Sequence, residues 1–352
     1  MMKQEDILSV DIAGMAGLIR SFPAQARHAL AIGNDAALRR APKDIRAVVV
    51  CGLGGSAIGG DLLRSYLAGD LAVPMVVNRT YTLPAFVGPR TLVIVSSYSG
   101  NTEETLAAHR EALRRKAPTL CITSGGATAR LAARSNATLV TVPGGLPPRA
   151  ALGYSFFPLL VILSRLGLIR RRERDISETI ALLEEKAAEY GDAGMSANRA
   201  LQVADLLRGR VGVVYASTER FDAVATRWRG QIAENAKSLM FGHVLPEMNH
   251  NELVGWKSLT GPMGHMQALF LRDRGDHKRI QLRMEITKQI VARYAGGVAE
   301  VWSEGKSLLA RTFSLVHLGD WVSLYLAVLH REDPTPVEVI DHLKRELAKV
   351  RR

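Results

Sequence analysis

The chain has 352 residues, 47% of them hydrophobic, enough for two domains of ordinary size, each with a core. Lysine and arginine number 46 against 34 acidic residues, a formal charge of +12 that favours phosphorylated or otherwise acidic partners without choosing among them. The excess is partly local, as in Ile169 to Asp175 (IRRRERD) and the terminal KVRR, clusters that read as solvated helix faces or linkers; with no zinc-finger spacing, RNP-like aromatic stretch or heptad run, nucleic acid is not an expected partner.

In chain order, the opening MMKQEDILSVDIAG carries early acids and lacks the charged-then-apolar layout of a signal peptide. From residue 46 to 142, short apolar β-rich runs alternate with longer amphipathic ones, the pattern of βα units around a parallel sheet. Five strands are predicted in RAVVVCG, VPMVVNR, TLVIVSS, PTLCITS and ATLVTVP, with helices in AIGGDLLRSYLAG, NTEETLAAHREALRRK and ATARLAARS between them. Cys51 and Cys121 each end a strand-like run; so sparse a pair reads as core thiols of a cytoplasmic protein rather than a disulfide framework. The nearest approach to a membrane span, Ala151 to Ile169, is interrupted by Ser155, Pro158, Ser164 and Arg165 and is expected to be a buried helix.

A charged, alanine-rich stretch follows. The organisation expected is an N-terminal domain over 1–169, a helical connector over 170–198 and a second domain over 199–352. The second half restarts with the strand RVGVVYAS, then a helix FDAVATRWRGQIAENAK, strands near MQALFLR and GVAEVW, and long helices to the end. The fold class is therefore α/β, two doubly wound domains with mainly parallel sheets flanked by helices.

Two loops carry the functional reading. Parallel α/β sheets bind ligands beyond the carboxyl ends of their strands, where helices begin with unpaired N–H groups and a partial positive charge. At such a junction, SSYSGNT offers the hydroxyls of Ser97, Ser99 and Thr102, with Gly100 permitting close backbone approach, the composition of a phosphate cradle. The plainer alternative makes Ser99 or Asn101 an N-cap and Glu104 the partner in a capping box, which explains one polar group but not four. The other loop, CGLGGSAIGGD, supplies Gly54, Gly55 and Ser56 to the same ligand. Gly52, Gly54 and Ala57 also loosely satisfy a dinucleotide fingerprint, but the second strand ends in Asn78 and Arg79 instead of an acid, leaving an NADP-dependent oxidoreductase as a poor rival.

A glycine-serine loop after the first strand with SYSGNTEET after the third resembles the sugar isomerase (SIS) fold family, which grips phosphosugars with those two loops. The resemblance continues through AENAKS, LPEMNHNELVGW and DPTPVEVIDHLK to the bifunctional phosphoglucose/phosphomannose isomerases, and covers residue 46 to the C-terminus. It implies interconversion of glucose 6-phosphate, and of mannose 6-phosphate, with fructose 6-phosphate through ring opening and a cis-enediolate, with no cofactor. It also implies roles: Glu234 as the base that moves the proton, Arg149 as the cation beside the enediolate, and His250 and Lys344 at ring opening, with a homodimer in which His250 crosses from the neighbouring subunit. Singly, each residue has a plainer reading: Glu234 a surface helix acid near Lys237, His250 a hydrogen-bonded loop histidine, Lys344 the polar side of a terminal helix, Arg149 a helix-start arginine after two prolines. One departure stands out. Relatives often place a threonine just ahead of the lysine helix; the aligned position here is Val337, with Thr335 two residues earlier.

His243, Glu247, His250 and Glu252 lack the spacing that puts two metal ligands on one helical face, so no metal is expected. Trp228, Trp256, Trp302 and Trp321 lie in apolar-periodic segments and are expected in the core. A non-catalytic phosphosugar-sensing module of the same fold is the main competing function.

Overall fold

The computed structural model describes residues 2–39, 44–135 and 137–349. Three helices the sequence did not announce come first, α1 (Gln4–Val10), α2 (Met15–Arg20) and α3 (Phe22–Asp35). The first sheet unit follows as β1 (Ala47–Cys51), α4 (Gly54–Leu67), β2 (Met75–Asn78), β3 (Thr91–Ser96), α5 (Glu103–Arg114), β4 (Thr119–Thr123), α6 (Gly126–Arg134) and β5 (Thr138–Thr141). Helices α7 (Leu152–Arg165), α8 (Glu173–Tyr190) and α9 (Arg199–Leu207) lead to the second unit. That unit comprises β6 (Val211–Ser217), α10 (Asp222–Ala236), β7 (Met240–Leu245), α11 (Thr260–Met263), β8 (Met266–Arg272), α12 (Lys278–Val291) and β9 (Gly297–Trp302), and α13 (Leu308–His330) and α14 (Glu338–Lys349) close the chain.

Both sheets are parallel throughout, with orders β2-β1-β3-β4-β5 and β7-β6-β8-β9. All five predicted strands of the first half form. Runs such as AVVVC are buried along their whole length because helices cover both faces. One face of each sheet turns toward a shared core that joins Val48, Val50 and Ile94 to Val214, Ala216 and Leu269 through the helices between the sheets. The outer face of the first sheet packs on α5 and α6, and that of the second on α12 and the 253–263 segment.

The 151–169 run is a buried helix as expected. Pro158 stands inside α7, and Gly33 of α3 lies against its Cα where a Cβ would come within 2.9 Å, so the proline costs a backbone bond while the glycine gains a close helix contact. Cys51 and Cys121 are free and buried, and burial pushes the Cys51 thiol up to about 12. Among the described residues one helix, α13, is long and apolar enough to cross a membrane, and 94% of its apolar window is buried inside the protein. Its apolar residues fall on every side because it is enclosed all round.

Two expectations need correction. The strand β7 (MFGHVL) was not predicted: it is the edge strand, half-exposed, with a glycine and a histidine interrupting its apolar pattern. Trp302 is not a core residue; it ends the opposite edge strand, is 39% exposed and lies under the Arg272 guanidinium at 4.7 Å. The other three tryptophans are buried.

Candidate active site

In the first sheet the chain leaves β1 toward one edge and β3 toward the other, so a crevice opens between their carboxyl ends. The two loops singled out in the sequence meet there. Ser56 Oγ accepts from the Tyr98 N–H at 3.1 Å, and Ser96 Oγ donates to the Ser56 carbonyl at 3.3 Å, locking the loops together. Ser97 is buried and donates to Thr102 Oγ1 at 3.3 Å, whereas Ser99 is exposed and accepts from the Asn101 N–H at 3.3 Å.

The capping-box alternative does not hold. Thr102 is the N-cap of α5 and its side chain makes no cap bond, while Asn101 Oδ1 reaches the Ala127 N–H at 3.0 Å and so secures the start of α6. Gly100 has φ +69, and a Cβ there would strike the Gly125 carbonyl at 1.9 Å, so the neighbouring loop already requires glycine at this position.

Gly55 has a different task. A Cβ on it would meet the Pro148 carbonyl at 2.4 Å; its absence lets the 148–150 turn lie on the start of α4. That turn carries Arg149, whose side chain is buried rather than displayed at a helix start. Nε donates to Asn235 Oδ1 at 2.6 Å, Nη2 to the Pro334 and Thr335 carbonyls at 2.6 and 2.8 Å, and Nη1 lies 3.5 Å from Glu234 Oε2. Burial lowers the Arg149 pKa from its ordinary value, with Glu234 and Asp333 opposing the shift. Glu234 projects from the last turns of α10 and is about one-third exposed, at 32% of its side chain. Lys237, the neighbour named in the plainer reading of Glu234, donates to the carbonyls of Glu234, Asn235 and Asp333 and closes the helix end. A crevice of about 170 Å³ lies between Gly54, Gly55, Arg149, Gln231 and Glu234.

A scaffold that sequence reading missed stands behind these groups. Asp320 of α13 takes Arg227 Nε at 3.0 Å, Arg227 Nη2 at 2.8 Å and Gln231 Nε2 at 2.9 Å; Arg227 Nη2 also donates to the Arg149 carbonyl at 3.1 Å. Burial pushes the Asp320 carboxyl up, and Arg227 and Gln231 counter it. Asn235 is held in turn by Ser323 at 2.9 Å. Thr335, at the same place, has a buried hydroxyl without a hydrogen-bond partner among the described residues, whereas Val337 is half-buried two residues on.

His250 and Lys344 do not join this group within one chain. Glu234 lies at the end of α10 that enters β7, while His250 follows the other end of that strand, whose six residues span on the order of 20 Å. Lys344 is 70% exposed on α14, 3.8 Å from Asp341. His243 Nδ1 is 3.1 Å from Glu252 Oε2, and Asn251 donates to Glu247 Oε1 at 2.8 Å. Arg79, the candidate for a nucleotide phosphate, is paired with Asp61.

Residues 43–144 match the SIS domain family and residues 196–347 the bacterial phospho-glucose isomerase C-terminal SIS domain family. The bifunctional phosphoglucose/phosphomannose isomerase of Caldicellulosiruptor bescii is 43% identical over 95% of this chain and 98% of its own. This chain belongs to the bifunctional phosphoglucose/phosphomannose isomerase family. A second member, from Aquifex aeolicus, is 39% identical over 86% of this chain and 91% of its own. A glucose-6-phosphate isomerase like protein from Thermus thermophilus shares the fold at TM-score 0.64 and 18% identity, covering 95% of this chain and 98% of that one. The family's SIS architecture accords with both sheets seen here.

Proposed function

We propose that this protein is an aldose-ketose isomerase that interconverts glucose 6-phosphate and mannose 6-phosphate with fructose 6-phosphate. Family membership gives the reaction class. The observation that carries the residue assignment is Glu234 beside the buried Arg149, under the glycine-serine loops of the first sheet.

The phosphate rests on backbone N–H groups and hydroxyls of Gly54, Gly55, Ser56, Ser97, Ser99 and Thr102, aided by the starts of α4 and α5. His250 and Lys344 open the sugar ring: the proton leaves O1, the C1–O5 bond breaks and O5 is protonated. Glu234 then takes the C2 proton, the electron pair moves to O1 and the cis-enediolate forms; a proton passes from O2 to O1, and Glu234 returns its proton to C1 as the C2=O2 double bond forms, giving the ketose. Arg149 stabilises the oxyanion from a fixed, desolvated position. Glucose and mannose 6-phosphates differ only at C2 and give the same enediolate; rotation of the open chain about C2–C3 presents the C2 hydrogen of either epimer to one base. Hydrogen moves within one molecule and the oxidation state of the whole is unchanged, so the chemistry calls for no redox cofactor.

The working form is a cytoplasmic homodimer in which His250 of one subunit completes the site of the other. Two features support this: the length of β7 separates Glu234 from its own chain's His250, and the crevice of about 170 Å³ is smaller than a typical small-molecule pocket of roughly 300 Å³ or more. Incubating fructose 6-phosphate with the enzyme in deuterated water and following deuterium at C2 by NMR tests the mechanism. Label at C2 of both aldose phosphates is expected; aldose formed without any solvent exchange by the wild-type enzyme and by a slow Glu234→Asp variant would contradict the proton transfer.

A further inference from the structure

We propose that the apolar stripe of α14 is seated in a groove beside β7 on a second copy of this chain, and that this contact orients Lys344. The inference rests on the dimeric reading above. Helix α14 buries none of its residues. Yet Val339, Leu343 and Leu347, exposed by 84%, 58% and 56%, fall with Ile340 on one helical face. Its side-chain ion pairs, Lys344 with Asp341 and Lys349 with Glu346, run within the helix. Isolated helices shorter than about 12–15 residues are marginal in water and draw their stability from a packed apolar face. At 12 residues α14 needs one.

A matching surface lies along the edge strand β7. Phe241 and Leu259, exposed by 53% and 68%, flank a groove of about 470 Å³ with Trp256 and Met263 inside it. Its lining also includes one charge of each sign, Arg229 and Glu252. The α14 stripe likewise carries one charge of each sign, with Glu346 on one flank and Lys344 on the other. The charges are complementary, Glu346 to Arg229 and Lys344 to Glu252, which is two residues from His250.

Continuity identifies the occupant. The stretch from β7 to Trp256 carries His250 and, with Phe241, Glu252 and Trp256, one part of the groove lining, so a partner that delivers His250 to Glu234 brings its groove with it. Helix α14 departs from that same site, because Arg149 holds the Pro334 and Thr335 carbonyls three residues before Glu338. The partner therefore supplies one ring-opening residue and aims the other.

Leu343→Cys and Leu259→Cys, placed on separate co-expressed full-length chains and exposed to oxidised glutathione, test the pairing on a non-reducing gel. The native thiols are buried. A covalent heterodimer is expected from the mixture and none from either single variant, while the same two substitutions on one chain give crosslinked dimers. A crosslinked monomer from the doubly substituted chain, or no crosslink from a protein that sediments as a dimer, overturns the docking. In addition, Leu343→Glu should lower kcat by about tenfold while leaving KM little changed; unchanged kcat contradicts the orienting role. Parent activity on both hexose phosphates, measured alongside, separates the two failures: an inactive parent defeats the isomerase reading, whereas an active dimer without the crosslink defeats only the docking.

Discussion

Replacing Asp320 probes the scaffold behind Arg149. Its bonds to Arg227 and Gln231 are made with both charged side chains of the pair almost free of solvent. Removing one member of such a pair leaves the other charge desolvated at a cost of about 3–5 kcal/mol, whereas replacing both by apolar residues of similar volume is often neutral. Asp320→Ala should therefore lower unfolding free energy by about 3–5 kcal/mol, and Asp320→Leu with Arg227→Met should restore only part of it, because Gln231 and the Arg149 carbonyl lose their partners. Activity separates stability from positioning. Arg227 also donates to the Arg149 carbonyl, and the double variant leaves that acceptor without its donor, a loss of about 1–3 kcal/mol. Carried into the transition state, that is a fall of roughly 5- to 150-fold in kcat/KM. Equilibrium urea unfolding followed by tryptophan fluorescence, paired with steady-state kinetics, reads both quantities. A cost below about 1 kcal/mol for Asp320→Ala would place the pair with exposed ones and refute its buried role; a double variant with full kcat/KM would refute Arg227 as the support of Arg149.

Glu234→Gln is expected to bind fructose 6-phosphate within a few-fold of the parent and to lose turnover by roughly a thousandfold or more, because the proposed anchoring loops and the proposed base are separate parts; calorimetry and a coupled assay check the two halves. Ser56→Ala removes the acceptor of the Tyr98 N–H and should raise KM by about tenfold with little change in kcat, since the serine loop loses its tie to the glycine loop; a fall in kcat alone would count against the phosphate cradle. Asp276 predicts a pH effect on stability: burial, first, raises its carboxyl from 3.8 to about 6, with Asp273 and Glu219 adding to the rise and Ser217 and Arg220 opposing it. The folded state thus holds this proton more tightly than the unfolded one, so the contribution is fully present below about pH 4 and is lost as pH rises through 6. Asp276→Asn, which keeps an acceptor for Ser217, should melt higher than the parent at pH 7–8, with the gap closing by about pH 4; a gap independent of pH would refute the assignment.

The sequence displayed what is local. Runs such as TLVIVS are continuous β-branched strands bounded by polar loops, and the loop chemistry after β1 and β3 could be read before any fold was known. Long-range partnerships did not show. Arg149 follows two prolines and looks like a helix-start residue; it is buried because carbonyls 185 and 186 residues later close over it. Asp320 lies in a mainly apolar helix, and nothing local reveals that Arg227, 93 residues earlier, neutralises it. Edge strands gave the weakest pattern, since β7 and β9 are covered only in part and carry mixed residues, which is why β7 was missed and Trp302 misplaced. Four proposed chemical groups were legible only through resemblance, and the fold of one chain gathers just Glu234 and Arg149.

The most direct measurement is steady-state kinetics on the purified protein with glucose 6-phosphate and mannose 6-phosphate side by side, coupled to detection of fructose 6-phosphate. Conversion of both, abolished together by Glu234→Gln, is the predicted result. Failure to convert either sugar, or turnover that survives the Glu234→Gln substitution, would contradict the account.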